Sequence, residues 1–294
     1  MDNLKSPKHD VHPSLPSLLI RDTHIWTKND IIRGSILIED GRIQRIARRI
    51  PEPADEEILA RRLVALPGLI DAHVHLRDLR LSYKEDFTTG TAAAAAGGFT
   101  TVLDMPNTLP PTDSARRLQE KAGRASRKIL VNTGFHTAAV GDRSAAKAMK
   151  GSGAFSMKLY LPRPIAPLDV ADDRKILEVL KAAREASIPV TVHAEDAAQI
   201  GGTRKIRTFE ELVRSRLGRA ETSAVSRILR LQRQIGCRVH FCHLTLPSSI
   251  SAIGSWSSGH CPRKSPRITL YSPKIPWRRW DGRPGWCPLS GLKR

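Results

Sequence analysis

Cysteine is scarce: Cys237, Cys242, Cys261 and Cys287 are the only four in 294 residues. Their spacing matches no zinc ribbon, and a chain of this length buries most of its unfolded surface without covalent staples. A disulfide framework is therefore excluded as the organising device, and a reduced, cytoplasmic setting is expected. Long apolar runs are also missing. Nothing approaches 18 consecutive apolar residues, so no membrane span is expected. The first residues are polar and Pro/Ser-rich without a continuous apolar stretch, so residues 1–17 are expected to form a loose tail and no secretory signal. Acidic residues are few, 29 against 48 basic, which leaves a formal charge of +19. Such a balance suits nucleic acid, but the basic residues are spread over helices and loops and no nucleic-acid motif appears. No nucleic-acid or membrane partner is expected; a basic surface would still attract an anionic small molecule.

What is present changes character along the chain. Between Leu18 and Arg62 the pattern is that of a small β module. Asp40-Gly41 sits between apolar-alternating runs, the strongest local hairpin signal. From residue 63 to about Ile253, apolar runs alternate with helical stretches. Strands are predicted at Val64 to His75, Thr100 to Met105, Ile129 to Phe135, Ala154 to Leu161, Val190 to His193 and Arg238 to His243. Helices are predicted between most of them, with Ile176, Val179, Leu180 and Ala183 on one face of the stretch Asp169 to Ala186. Six strands alternating with helices imply an α/β fold with a parallel sheet, open or closed into a barrel, and periodicity does not choose between the two. The length suits a (β/α)8 barrel of about 250 residues with something appended.

His73-Val74-His75 ends the first barrel-type strand, and residues i and i+2 of a strand share a face. Two imidazoles so placed can hold one divalent metal; the alternative is a chance pair at a strand end. His193 and His243 end two further predicted strands, so four of the ten histidines fall where a parallel barrel gathers its chemistry. Lys158 lies inside the apolar strand Phe155 to Leu161, where a charge is costly unless it is neutralised or paired. Either its ammonium snorkels to a salt bridge, or its amine is modified to an anionic carbamate that bridges two metals. Arg77, two residues past the histidine pair, offers a bidentate grip for a carboxylate or is a plain surface arginine. Asp71 either accepts the free N–H of a ligating histidine or shapes the turn at the strand end.

The strings PGLIDAHVHLRD, DMPNTLPP, SMKLYLP, VTVHAED and HFCHLTLPSSI occur in that order. Together they resemble the cyclic amidohydrolases, and among these the dihydroorotases, over about Leu19 to Ile253. HVHLR with MPNT is specific within that superfamily. The resemblance implies a (β/α)8-type barrel of the amidohydrolase superfamily carrying two Zn2+ ions, with His73 and His75 on the first, His193 and His243 on the second, and carbamylated Lys158 between them. It implies that Arg77 and Asn107 hold the substrate carboxylate, and that the reaction interconverts dihydroorotate and N-carbamoyl-aspartate in pyrimidine biosynthesis. A homo-oligomer, or association with another enzyme of that pathway, would follow the same resemblance. A hydantoinase- or allantoinase-like hydrolase is the alternative.

The resemblance breaks near Ile253. The family's general-base Asp, in a DHAPH-like motif after the eighth strand, has no counterpart in the string. Residues 254–294 carry nine basic residues against Asp281 alone, six prolines and four of the five tryptophans. This shift reads as a changed reading frame, with the barrel stopping at six strands; the competing reading is a basic, Pro-rich tail for an acidic partner.

Overall fold

The computed structural model describes residues 15–200, 207–211, 218–258 and 268–270. It divides into two compact units, Met1–Leu69 and Ile70–Arg294. The tail expected at residues 1–17 lies almost wholly outside the described residues.

The first unit is a five-stranded sheet around β1 (Leu18–Trp26). β1 pairs antiparallel with β2 (Ile31–Glu39), which pairs antiparallel with β3 (Arg42–Ala47). Glu39 faces Arg42, leaving a two-residue loop in which Asp40 and Gly41 both have positive φ, 48° and 69°. That is the mirror-image turn that Asp-Gly favours, because its twist matches that of the strands. β4 (Glu56–Leu59) and β5 (Val64–Ala65) both run parallel to β1. The sequence pattern allows Val64 and Ala65 either to continue the strand pattern of the small module from Arg61 or to open the first barrel strand; they pair with β1 and complete this sheet. Pro67-Gly68 interrupts the apolar run after them, as a Pro-Gly pair does. Leu19, Leu37 and Ile50 form the small core.

In the second unit, βα units follow one another in order. β6 (Leu69–Val74) lies beside β7 (Phe99–Asp104), which runs parallel to β8 (Asn132–Phe135). One residue later β9 (Thr137–Ala138) runs parallel to β10 (Met157–Tyr160), followed by β11 (Val190–His193) and β12 (Val239–Phe241). β8 and β9 are one bent barrel strand that pairs with β7 on one side and β10 on the other. The helices lie between strands: α1 (Phe87–Ala96), α2 (Ala115–Ala125), α3 (Arg143–Gly151), α4 (Asp173–Glu185), α5 (Gly218–Ile235) and α6 (Pro247–Ser258). Local chemistry sets their starts. Asp86, Ser114, Asp142 and Asp172 each cap a helix by accepting a backbone N–H of its first turn. The apolar stripe of α4 (Ile176, Val179, Leu180 and Ala183) is fully buried in the main core with Met157, Leu159, Val190 and Val192.

The expectation of a barrel that stops at six strands is corrected here. α6 runs through Ile253 without a break, and β13 (Ile268–Leu270) adds a seventh strand, parallel to β12 with Val239 facing Ile268. Three apolar-leaning residues between basic, Pro-rich flanks carry almost no periodic signal, so strand pairing alone reveals them. The remaining residues of the unusual segment, 259–267 and 271–294, lie outside the described residues. Among the described residues no helix is long and apolar enough to cross a membrane.

Candidate metal and substrate site

The strand ends bring all seven candidate residues to one pocket of about 230 Å3, lined by His73, His75, Arg77, Asn107, Lys158, His193 and His243 with Met105, Tyr160 and Ile165. His73 is near the end of β6 and His75 just past it, their rings 5.2 Å apart. His243 stands 5.2 Å from His73 and 4.5 Å from His193, ring centre to ring centre. It lies two residues past β12 with φ of 37°. In the parallel register Lys158 faces Thr191 and Tyr160 faces His193, which places the lysine one layer below the imidazoles.

Hydrogen bonds fix which ring nitrogens are free. His75 Nδ1 meets Asn107 Oδ1 at 2.9 Å; the amide oxygen accepts, so His75 keeps its proton there and offers Nε2. His193 Nε2 meets Glu195 Oε2 at 2.6 Å, and its Nδ1 faces His243 Nε2 at 3.0 Å. A carboxylate thus orients His193 through Nε2, and its Nδ1 is shared with His243. Asp71 accepts the backbone N–H of His73 at 3.0 Å, which is the turn-shaping role of the two considered for it.

Burial favours the uncharged forms of His73, His75, His243 and Lys158. His73 is pushed down to about 2, by burial first and then by Lys158 and His243 nearby. His243 falls to about 4 through burial and its His193 and Lys158 neighbours, and His75 is lowered mainly by burial. Burial also lowers the Lys158 amine, which donates to Cys242 Sγ at 3.1 Å and, among the described residues, makes no salt bridge. The snorkelling alternative for Lys158 is not what the fold shows, since the side chain is 3% exposed. Among the described residues, no three His, Cys, Asp or Glu side chains already converge on one point as a metal cage. The donor chemistry nevertheless fits a divalent ion: four imidazoles and a buried lysine nitrogen line the same pocket.

Arg77 Nη1 donates to the Asn107 carbonyl oxygen at 3.2 Å, so the two carboxylate-binding candidates are neighbours on the rim. Three participants were not singled out in the sequence. Glu195 is two residues past His193, and the spacing argument used for His73 and His75 would have found it. Cys242 reads as an ordinary core residue until the fold sets it against Lys158. His136 is fully buried beneath the cluster, with Nε2 donating to Ala72 O at 3.1 Å and Nδ1 accepting from Ser156 Oγ at 2.6 Å. Ser156 Oγ continues to Thr191 Oγ1 at 2.8 Å, forming a polar layer under Lys158 that only the folded strands bring together.

Known proteins share sequence and fold with this chain. The chain is 38% identical over 227 residues to a dihydroorotase of Methanothermobacter thermautotrophicus, covering 74% of this chain and 50% of that protein. It is 31% identical over 282 residues to an allantoinase of Streptomyces avermitilis, covering 88% of this chain and 61% of that one. The fold superposes on an L-hydantoinase (dihydropyrimidinase) from Arthrobacter aurescens with a TM-score of 0.76 at 23% identity, over 87% of this chain and 58% of that structure. The chain spans about half the length of the curated dihydroorotases it matches. Residues 64–269, from the edge of the small β module to the seventh barrel strand, match the amidohydrolase family, and the chain belongs to that family.

Proposed function

We propose that this chain carries the metal- and substrate-binding part of a dihydroorotase, which interconverts (S)-dihydroorotate and N-carbamoyl-L-aspartate in pyrimidine biosynthesis. One observation carries the reading: Arg77 and Asn107 share a pocket with four imidazoles and Lys158. A carboxylated cyclic amide needs both a grip for its carboxylate and activation of its ring carbonyl. His73 and His75 would hold one zinc ion, His193 and His243 the second, with carbamylated Lys158 between them. When bound, the two ions supply Lewis acidity toward the ring carbonyl and the attacking water.

The chain's own residues do the rest. Arg77 receives the substrate carboxylate as a paired, charge-assisted contact. Asn107 holds the His75 proton at Nδ1, and Glu195 does the same for His193 at Nε2. The low-lying His73 and His243 leave imidazole lone pairs free at neutral pH. A lowered Lys158 amine is the form that can add carbon dioxide. The general-base Asp that the resemblance implies has no counterpart in these 294 residues. Loss of a positioned acid–base group costs about 10²–10⁴-fold in rate, so this polypeptide is proposed to be slow by itself. Its setting is proposed to be cytoplasmic, which the free, buried Cys237 and Cys242 support.

The test is a zinc-reconstituted chain assayed with dihydroorotate, hydantoin and allantoin side by side. Slow turnover or binding that favours dihydroorotate is expected. Preference for either other ring would favour a hydantoinase- or allantoinase-like hydrolase, the second reading, which the Streptomyces allantoinase similarity supports. Co-purification with another pyrimidine enzyme without any turnover would favour an inactive assembly partner.

A further inference from the structure

The loop after β6 holds Arg77 in a backbone conformation that it would not adopt alone. Arg77, Asp78 and Leu79 have φ of 57°, 46° and 52° in succession. All three carry a Cβ, and for such residues left-handed backbone is disfavoured. Something must hold the run in place, and the contacts of Asp78 identify it. Its carboxylate is fully covered. Oδ1 accepts the Leu79 N–H and pairs with Arg124 Nε. Oδ2 accepts from Lys128 Nζ at 3.0 Å and from the Phe87 N–H at 3.2 Å, while the Asp78 N–H donates to Glu85 O at 2.9 Å. One carboxylate thus ties its own turn to the start of α1 and to two cations at the end of α2.

Lys121 and Arg124, three residues apart, form a stripe on one face of α2, and Lys128 follows in the turn just past its end. Lys121 pairs with buried Asp104, whose Oδ1 accepts the Leu76 N–H at 2.7 Å. The α2 stripe therefore clamps the chain on both sides of Arg77, at Leu76 and at Asp78.

We propose that Asp78, held by Arg124 and Lys128, is a positioning residue for Arg77 and so sets the preference for carboxylated over uncarboxylated cyclic amides. This rests on the reading of Arg77 as the carboxylate grip. The experiment measures dihydroorotate and dihydrouracil, the same ring without its carboxylate, binding to the zinc-loaded 294-residue chain by calorimetry. Asp78→Asn keeps the side-chain shape and removes the charge. It is expected to weaken dihydroorotate by about ten- to a hundredfold while leaving dihydrouracil and zinc content unchanged. Arg124→Gln with Lys128→Gln should move the same ratio, and Arg124→Lys should restore part of it. Equal loss for both rings, or no change in the ratio, overturns the proposal. Arg77→Ala separates the two layers: an unchanged ratio there, or no dihydroorotate binding by the wild-type chain, counts against the carboxylate grip itself. Hydrogen exchange at the Leu79 and Phe87 amides tests the clamp without any ligand. Faster exchange in Asp78→Asn supports it, and unchanged protection refutes it. Should Asp78→Asn fail to fold, the Arg124→Gln, Lys128→Gln variant, which retains the carboxylate, is read by the same criteria.

Discussion

Removing the Lys121 ammonium should destabilise the barrel unit far more than removing the whole ion pair. Lys121 and Asp104 are 1% and 0% exposed, and they sit where β7 ends and α2 packs over it. Asp104 Oδ1 is satisfied by the Leu76 N–H at 2.7 Å, whereas Oδ2 takes no directional hydrogen bond and relies on the charge of Lys121. Lys121→Met leaves that oxygen buried and uncompensated, and also withdraws the donor to the Met105 carbonyl at 3.0 Å. Breaking a buried pair from one side costs about 3–5 kcal/mol. For a unit of roughly 200 residues each kcal/mol moves the midpoint by about 2–4 °C, so a drop of about 10 °C is expected. Adding Asp104→Asn removes the stranded charge while its amide oxygen still accepts from Leu76. The double variant should therefore recover more than half of the loss, because a buried pair is worth little beyond its own desolvation. Urea titration followed by far-UV circular dichroism measures all three variants. A Lys121→Met chain within about 1 kcal/mol of wild type, or a double variant weaker than the single, would refute the reasoning.

Zinc retention should depend on the strand-end imidazoles: His73→Ala and His75→Ala should each lose most bound zinc by elemental analysis, and full retention in the double variant would remove the metal assignment. Lys158→Ala should lose the bridging ligand and regain part of its metal when short carboxylic acids are added; a metal content indifferent to the change would exclude a bridging role. Acid stability should report Asp78. Burial alone would raise its carboxyl, but the Leu79 N–H, Arg124 and Lys128 outweigh burial and hold it at about 2. A carboxyl depressed in the folded state stabilises above its unfolded value near 4 and loses that contribution as pH falls toward 2. Wild type should therefore lose about 2 kcal/mol more than Asp78→Asn over that window, and parallel stability curves would contradict the ion cluster.

Much of this protein is local in origin. The Asp40-Gly41 turn, the caps at Asp86, Ser114, Asp142 and Asp172, and the buried face of α4 follow from neighbours within a few residues. The same holds for the strand-end histidines, since a two-residue period on one strand is enough to put His73 and His75 together. Order along the chain also gave the succession of βα units, because turn chemistry and apolar period change together at each boundary. Where a partner comes from a distant segment, the sequence gives no sign of it. Val64 could extend the barrel or complete the small sheet, and only pairing with β1 decided which. Ile268–Leu270 lies between basic, Pro-rich flanks and becomes a strand only because β12 offers an edge. Lys158 could have snorkelled; packing between β9 and β11 buries it against Cys242, 84 residues away. Asp78 and Asp104 look like ordinary loop and strand-end acids until α2 folds over them, 17 to 50 residues later in the chain. Residue types and short-range periods settle which elements form and which side chains can carry chemistry. The pairing of buried charges, the nitrogen each histidine leaves free and the posture of Arg77 belong to the tertiary structure, because each depends on a dielectric and a set of donors that exist only after distant strands and helices meet.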